Sequence, residues 1–190
     1  KKKKMADLHI HVYCGCIVWL QVYRDDTWKK VSSPVVANIQ LTEHFSLREM
    51  TKSQTAMRRG IDNTPTDEHL EALTSLCTNI LEPIRKHFGV PVLVSSGYRS
   101  PELCREIGSK STSQHAKGEA ADFELGGGVS NYDVAWWCLE NLDFDQLILE
   151  YYTPDDPKSG WVHISYRDDG KNRDQVLTYD GANYTIGLSK

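Results

Sequence analysis

The chain has 190 residues, of which 39% are hydrophobic and 25% charged, a balance that is typical of a soluble globular protein and argues against disorder. Its 22 basic and 26 acidic side chains give a formal net charge of −4, so there is no basic field for a nucleic-acid backbone, and nucleic acid is not an expected partner. No apolar run approaches 18 residues, so no membrane span is expected, and five irregularly spaced cysteines argue against a disulfide framework.

The first 38 residues are predicted to form an N-terminal arm. Lys1 to Lys4 precede Met5 and are interpreted as a tag, a fusion scar or an upstream piece. Alternating apolar and polar side chains predict a strand at 8–23, and the polar stretch at 24–43 is typical of a linker. A boundary near residue 38 therefore separates the arm, 1–38, from a domain at 39–190.

Helical signals dominate the first half of this domain. Ser46-Leu-Arg-Glu49 is a capping box, which predicts a short helix. Thr64 is expected to cap a long helix whose apolar residues recur at helical spacing until Gly89 ends it. A short strand at 90–96 and a short helix beginning at Ser100 follow.

Strand signals dominate the second half. A strand is predicted at 118–125, and the capping box Ser130-Asn-Tyr-Asp133 predicts one further helix. Three strands, at 144–152, 161–167 and 175–179, complete the chain. Helices early and antiparallel strands late favour the α+β class over a doubly wound sheet.

The densest chemical signal lies in Ser113-Gln-His115-Ala-Lys-Gly118-Glu-Ala120-Ala-Asp122. His115 ends a loop, and Asp122 lies on the following strand, where the small Ala120 leaves space beside it. A histidine and a carboxylate that converge on open space suit a metal that prefers nitrogen and oxygen ligands, although a polar turn and a strand-end ion pair would also explain them. His163, on the polar face of a predicted strand, would supply a third ligand. Two histidines and one carboxylate leave a fourth position open, as in catalytic zinc sites.

Three separated blocks of the sequence are similar to one family. Ser-x-His-x-x-Gly-x-Ala-x-Asp at 113–122, preceded by Ser96-Gly-Tyr-Arg99-Ser and followed by Trp-Val-His163, resembles the zinc D-Ala-D-Ala carboxypeptidases. These enzymes share the hedgehog/DD-peptidase fold with vancomycin-resistance dipeptidases and phage L-Ala-D-Glu endolysins, and the chain looks closest to the short, phage-type members. The resemblance covers about residues 40–187 and leaves 1–38 outside.

The resemblance implies an α+β fold in which helices pack on a small antiparallel sheet that carries one Zn²⁺, held by His115, Asp122 and His163. It implies hydrolysis of peptide bonds in the stem peptides or cross-links of bacterial peptidoglycan, by a phage-encoded D,D-carboxypeptidase or endolysin-type endopeptidase. By the same match, Arg99 stabilises the carbonyl oxygen or anchors the substrate, and Ser113 lies at the substrate-binding edge. From the residues alone, Arg99 also fits a local ion pair and Ser113 a turn.

The chain departs from the family pattern just before the last ligand. Several relatives carry the catalytic acid/base there, as Glu-x-x-His, Asp-x-x-His or His-x-His, whereas this sequence has Gly160 and Trp161 ahead of His163. A general base is still needed, because a proton must pass from the attacking water to the leaving amine.

Glu150 is the expected general base. It lies near the end of the predicted strand at 144–152, and a hairpin between this strand and 161–167 would bring it beside His163. The reserve candidates are Asp145 and Glu119.

A second class of function stays open. The missing carboxylate before His163 and the additional arm at 1–38 are compatible with a virion structural or interaction module that keeps the zinc fold with little activity. In that case the arm would contact phage structural proteins. A small-molecule D,D-dipeptidase is a third hypothesis. The expected location is the host cytoplasm until lysis, or the phage virion, with the bacterial cell wall as the target.

Overall fold

The structure is a computed structural model that describes residues 8–13, 17–24, 27–30 and 39–189. The chain divides into two units, Lys1–Ile39 and Gln40–Lys190.

The first unit contains a three-stranded antiparallel sheet in the order β1-β2-β3. Its strands are β1 (Leu8–Tyr13), β2 (Ile17–Arg24) and β3 (Thr27–Lys30). The single strand predicted at 8–23 is therefore wrong, because the same alternation continues through two paired strands and does not show where the chain reverses. The predicted linker at 24–43 is wrong at β3, and its residues 31–38 lie outside the described part of the chain. The lysines before Met5 lie outside it too.

The second unit is built on a six-stranded sheet in the order β4-β5-β7-β6-β8-β9. Its strands are β4 (Val92–Ser96), β5 (Ala120–Leu125), β6 (Gln146–Glu150), β7 (Trp161–Ser165), β8 (Gln175–Tyr179) and β9 (Tyr184–Ile186). All neighbouring strands are antiparallel except β6 and β8, which pair in parallel. The predicted α+β class is confirmed, whereas the parallel pair and β9 were not anticipated.

Helices precede the sheet and alternate with its first strands. They are α1 (Leu47–Met50), α2 (Gln54–Arg59), α3 (Asp67–Leu76), α4 (Glu82–Phe88), α5 (Pro101–Glu106) and α6 (Asn131–Asn141). The predicted caps at Ser46 and Ser130 are confirmed, since each hydroxyl accepts the N–H of the residue three positions later. Among the described residues, no helix is long and apolar enough to cross a lipid bilayer.

The long predicted helix comprises α3, a π-helical turn at Cys77–Leu81 and α4. The wider turn precedes Pro83, which has no N–H to donate and so interrupts the regular ladder of hydrogen bonds. Gly89 ends the helix in a left-handed conformation, as predicted. The predicted start at Thr64 is wrong by two residues, because the Thr64 N–H binds the Asp62 side chain and Thr66 caps the helix instead.

The sheet separates the apolar core from the polar face that carries the chemistry. Alternate residues of β5, β6 and β7 are fully buried: Ala121, Phe123, Leu147, Leu149, Val162 and Ile164. On the other face, the register sets Asp122 opposite His163 and His163 opposite Ile148, so the three residues form one row across the sheet. Cys77, Cys104 and Cys138 are free and buried.

A buried carboxylate ties the start of the second unit to the long helix. Glu82 accepts hydrogen bonds from the Thr42 hydroxyl at 2.7 Å, the His44 N–H at 2.8 Å and the His44 ring at 2.8 Å. Burial alone would raise the pKa of the Glu82 carboxyl, but these hydrogen bonds outweigh burial and hold the pKa below its usual range.

This depressed pKa makes part of the stability dependent on pH. A carboxyl whose pKa is lower in the folded state contributes stability that is present above its unfolded pKa of about 4.3 and is lost as the pH falls through the folded pKa. We expect Glu82→Gln to lower the free energy of unfolding at pH 7 by about 1–3 kcal/mol. The difference from wild type should shrink below about pH 4. Denaturant titrations at several pH values measure it.

Glu71→Gln is the matched control, because Glu71 is an exposed glutamate of the same helix. We expect it to change stability little at any pH. A Glu82→Gln deficit that stayed constant down to pH 3 would mean that the carboxylate charge is not the stabilising feature.

Candidate metal centre

Three side chains from two strands and a turn meet at one point. Asp122 of β5 and His163 of β7 are direct cross-strand partners, with His163 Nδ1 2.8 Å from Asp122 Oδ1. His115 lies in the 3₁₀ turn Gln114–Lys117 that leads into β5, and its Nε2 is 3.2 Å from the same oxygen. All three residues are buried. The structure thus brings together the three residues that the sequence predicted as ligands.

Gly118 allows the turn that carries His115 to lie close to α3. Its backbone is left-handed, with φ of 76°, and a Cβ at this position would overlap the carbonyl oxygen of His69. Only glycine satisfies both conditions without strain. The turn is therefore held against the helix while the chain continues into β5.

Hydrogen bonds orient His115 from behind. Its Nδ1 lies 2.7 Å from the carbonyl oxygen of Gly97, and because a carbonyl can only accept, Nδ1 carries the proton. In the neutral ring, Nε2 is therefore unprotonated, and its lone pair is directed toward Asp122. A backbone carbonyl is one of the common hydrogen-bond partners of a metal-binding imidazole.

Arg99 orients Asp122 in a similar way. Its Nη2 donates to Asp122 Oδ2 at 2.5 Å, and its Nε donates to the Ser96 hydroxyl at 2.7 Å. The two oxygens of Asp122 therefore have different partners, since Oδ2 binds the guanidinium while Oδ1 faces both histidines. Arg99 is largely buried and also lines the cavity above the cluster.

The protonation states suit cation binding. Burial lowers the pKa of His115 despite the opposing charge of Asp122, so the ring is neutral at pH 7. Burial would raise the pKa of Asp122, but its close contacts with the two histidine rings hold it well below its usual range. A neutral imidazole and an ionised carboxylate are the forms that bind a metal.

The spacing of the three side chains also fits a metal. The candidate ligand atoms all lie within 4.8 Å of one another, and the two closest separations to Asp122 Oδ1 are 2.8 and 3.2 Å. Atoms bound tetrahedrally at the usual zinc distances lie about 3.3 Å apart, so the two separations to Asp122 Oδ1 are within about half an ångström of that value. Two imidazole nitrogens and one carboxylate oxygen form a donor set typical of zinc.

A cavity of about 850 Å³ opens over the cluster, and Glu150 lines it. Strands β6 and β7 pair as the sequence predicted, with Ile148 opposite His163 and Glu150 opposite Trp161. Glu150 is therefore diagonal to His163 on the same face of the sheet. Burial, and then the charge of Asp122, raise the pKa of the Glu150 carboxyl.

The reserve bases and Ser113 line the same cavity. Arg173 occupies both carboxylate oxygens of the buried Asp145, and this hydrogen bonding overcomes the effect of burial and lowers the pKa of Asp145, which makes it a poor proton acceptor. Glu119 accepts a long hydrogen bond, 3.4 Å, from Gln114. Ser113 begins the 3₁₀ turn, but its side chain does not cap it.

The absence of a carboxylate three residues before His163, where Gly160 stands, has a steric cause. Gly160 has a left-handed φ of 66°, and a Cβ there would overlap the carbonyl oxygen of Glu150. The position three residues before His163 therefore accommodates no side chain. The buried Asn131 holds this backbone in place by donating to the carbonyl oxygens of Ser159 at 3.1 Å and Gly160 at 3.0 Å.

Sequence reasoning missed two residues of the site. For Asn131 the sequence indicates only a position in a helix-capping motif, and for Arg173 it indicates no role. Nothing near Arg173 in the sequence indicates that it pairs with Asp145. For Asn131, its position next to the cap residue Ser130 is the one available signal, and it does not reveal the contact with the later loop.

Comparison with known proteins agrees with this geometry. The family model described as Peptidase M15 matches residues 43–165. The match includes the three clustered side chains as well as Arg99 and Glu150, and it begins after the three-stranded unit. A search of curated proteins finds no match.

Gly160 generates a test of the steric argument. Gly160→Ala would strain a left-handed backbone and force the new Cβ against the Glu150 carbonyl, so we expect a loss of about 2–4 kcal/mol in unfolding free energy. The loss is measured by denaturant titration. Displacement of Glu150 should also reduce activity.

Gly170→Ala is the matched control. Gly170 has nearly the same φ, 68°, but nothing lies within 4 Å of the position where its Cβ would be. Only the backbone strain remains, about 1–2 kcal/mol. Equal losses in the two variants would show that Gly160 does not closely approach Glu150, and that a carboxylate could stand there.

Proposed function

Because the chain belongs to the Peptidase M15 family, whose members are zinc-dependent peptidases that act on peptidoglycan, we propose that it hydrolyses peptide bonds in the stem peptides or cross-links of the bacterial wall. We assign it to the phage-type enzymes, as a D,D-carboxypeptidase or an endolysin-type endopeptidase. The observation that carries the proposal is the convergence of His115, Asp122 and His163 at the base of a cavity that Glu150 also lines.

His115 Nε2, Asp122 Oδ1 and His163 Nδ1 are the proposed ligand atoms. The hydrogen bond from His115 to Gly97 and the ion pair of Arg99 with Asp122 support the assignment, because each leaves the proposed ligand atom directed at the cluster. When bound, the zinc polarises the scissile carbonyl and lowers the pKa of water toward neutrality.

Glu150 acts as general base and then as general acid. Its carboxylate takes a proton from the attacking water and returns it to the nitrogen of the leaving amine. The raised pKa supports this role, because a carboxyl that titrates closer to the working pH accepts and releases a proton more readily.

Arg99 steadies the substrate carbonyl. Its Nε and Nη2 hold Ser96 and Asp122, so among the described contacts Nη1 is left for the developing oxyanion. Ser113, whose hydroxyl does not cap its turn, binds the substrate at the edge of the cavity.

The second candidate is a virion interaction module. The three-stranded unit at Lys1–Ile39 lies outside the family match and favours this alternative, because it offers a surface for phage structural proteins. In that reading the second unit keeps its zinc site but has little turnover.

Digestion of purified sacculi separates the two candidates. We expect the protein to carry one zinc and to release muropeptides whose masses identify the bond cut. Loss of a terminal D-Ala indicates the carboxypeptidase, and cleavage within the stem or cross-link indicates the endopeptidase. One bound zinc without any product would favour the interaction module.

His163→Ala is the control for the metal. We expect it to bind well below one equivalent of zinc and to release no muropeptides. Because metal binding adds to folding free energy, chelation should lower the melting temperature of the wild type but not of this variant. Unchanged zinc stoichiometry in His163→Ala would contradict the ligand assignment.

Glu150→Gln tests the general base. The amide keeps the shape but cannot accept the proton, so turnover should fall by about 10²–10⁴-fold while zinc content and melting temperature stay near wild type. Glu119→Gln, in the same cavity, should reduce turnover far less. Near-normal turnover in Glu150→Gln would mean that the base lies elsewhere, and loss of zinc would make Glu150 a ligand.

A further inference from the structure

The arginine that engages Asp145 has no role in the chemistry above. Arg173 lies in the segment between β7 and β8 and lines the cavity over the metal centre. Its Nε is 3.0 Å from each oxygen of Asp145, and its Nη2 donates to Asp145 Oδ2 at 2.5 Å and to Gln114 Oε1 at 3.4 Å. Gln114 directly precedes His115, so the guanidinium is linked to the turn that carries a ligand.

The two partners differ strongly in burial. The Asp145 side chain is 1% exposed, whereas the Arg173 side chain is 51% exposed. Neutralising the buried carboxylate does not require half of the Arg173 side chain to be exposed. Among the described contacts Nη1 makes no hydrogen bond, so part of the planar fork remains available to a ligand in the cavity.

Hydrogen bonds also fix the backbone next to Arg173. The Gln175 N–H donates to the Asp145 carbonyl at 3.1 Å, and the Asp174 N–H donates to the Phe144 carbonyl at 3.3 Å. Asp174 adopts a φ of 52°, an uncommon conformation for a residue other than glycine. Such a conformation persists where the surrounding structure imposes it, and it recurs where ligands are bound.

The chemistry of the site indicates an anionic ligand. Arg173 offers a rigid guanidinium whose geometry matches a carboxylate, and Lys110 and Lys117 line the same cavity. We propose that Arg173, held by Asp145 and Gln114, binds a carboxylate of the peptide substrate and so favours peptides that present this carboxylate. The inference rests on the proposed peptidase function and adds the residue that selects the substrate.

A stem peptide with L-lysine at its third position offers that carboxylate from two sources. One is the C-terminal carboxylate, which a carboxypeptidase would hold next to the bond it cuts. The other is the free carboxylate of the D-glutamyl residue, which an endopeptidase would hold. The test therefore uses three synthetic stem pentapeptides: unmodified, C-terminally amidated, and with D-isoglutamine in place of D-glutamate.

Steady-state kinetics on wild type, Arg173→Ala and Arg173→Lys give the readout. We expect Arg173→Ala to raise KM for the unmodified peptide by about 10- to 100-fold with a smaller change in kcat, as for the loss of a charged hydrogen bond. Arg173→Lys should retain the wild-type melting temperature but recover only part of the KM. For one of the two amidated peptides, the KM of wild type should be as high as the KM of Arg173→Ala for the unmodified peptide. For that amidated peptide, Arg173→Ala should raise KM no further.

Lys171→Ala is the matched control, because it removes one exposed cation from the same segment. We expect its KM to equal that of wild type for all three peptides. An equal rise of KM for all peptides in Arg173→Ala, or no rise for any, would overturn the proposal and leave Arg173 as a structural partner of Asp145.

Calorimetric titration keeps this test separate from the proposed function. The three peptides are titrated into zinc-loaded Glu150→Gln, with and without Arg173→Lys. If the wild type cleaved none of the peptides, the peptidase proposal would fail, but a carboxylate-dependent loss of affinity in the double variant would still support Arg173 as the binding residue. Affinity that is independent of both peptide carboxylates would contradict it.

Discussion

The candidate site depends on the contacts of one carboxylate, that of Asp122, with two histidines and an arginine. One oxygen faces His115 and His163, and the other accepts a hydrogen bond from Arg99. Without the arginine, a buried carboxylate would be costly to keep ionised, and without the ionised carboxylate the two histidines would have no common partner. The carboxylate therefore holds together a strand pair, a turn and the loop after β4, and all three contribute polar side chains to the cavity.

Sheet register places this cluster and Glu150 on the same face of the sheet. Because β7 lies between β5 and β6, the residue opposite Asp122 and the residue diagonal to Glu150 are the same, His163. A shift of one residue in either pair would turn these side chains into the apolar core. Because Gly160 has no side chain, the chain can return close to β6, and Asn131 fixes that return. Rigidity of the β6–β7 connection is thus a condition for placing the Glu150 carboxylate near the three candidate ligands.

Local patterns predicted most of the elements and the three clustered residues, since caps, periodicity and short motifs depend on neighbours in sequence. The same reasoning failed where distant segments decide the outcome. Periodicity does not separate β1 from β2, and Thr64 fits a helix cap in the sequence although its N–H binds the Asp62 side chain in the structure. Pairing of Asp145 with Arg173, 28 residues later, depends on the path between β7 and β8 and on the parallel register of β6 with β8. No local signal carries that information.

Anomalous diffraction at the zinc absorption edge, from crystals of the zinc-loaded protein, tests the central claim most directly. We expect one strong peak about 2.0–2.2 Å from His115 Nε2, Asp122 Oδ1 and His163 Nδ1, with Glu150 facing the open side of the ion and outside bonding distance. A peak coordinated by other residues, or by Glu150 in place of one of the three, would contradict the account.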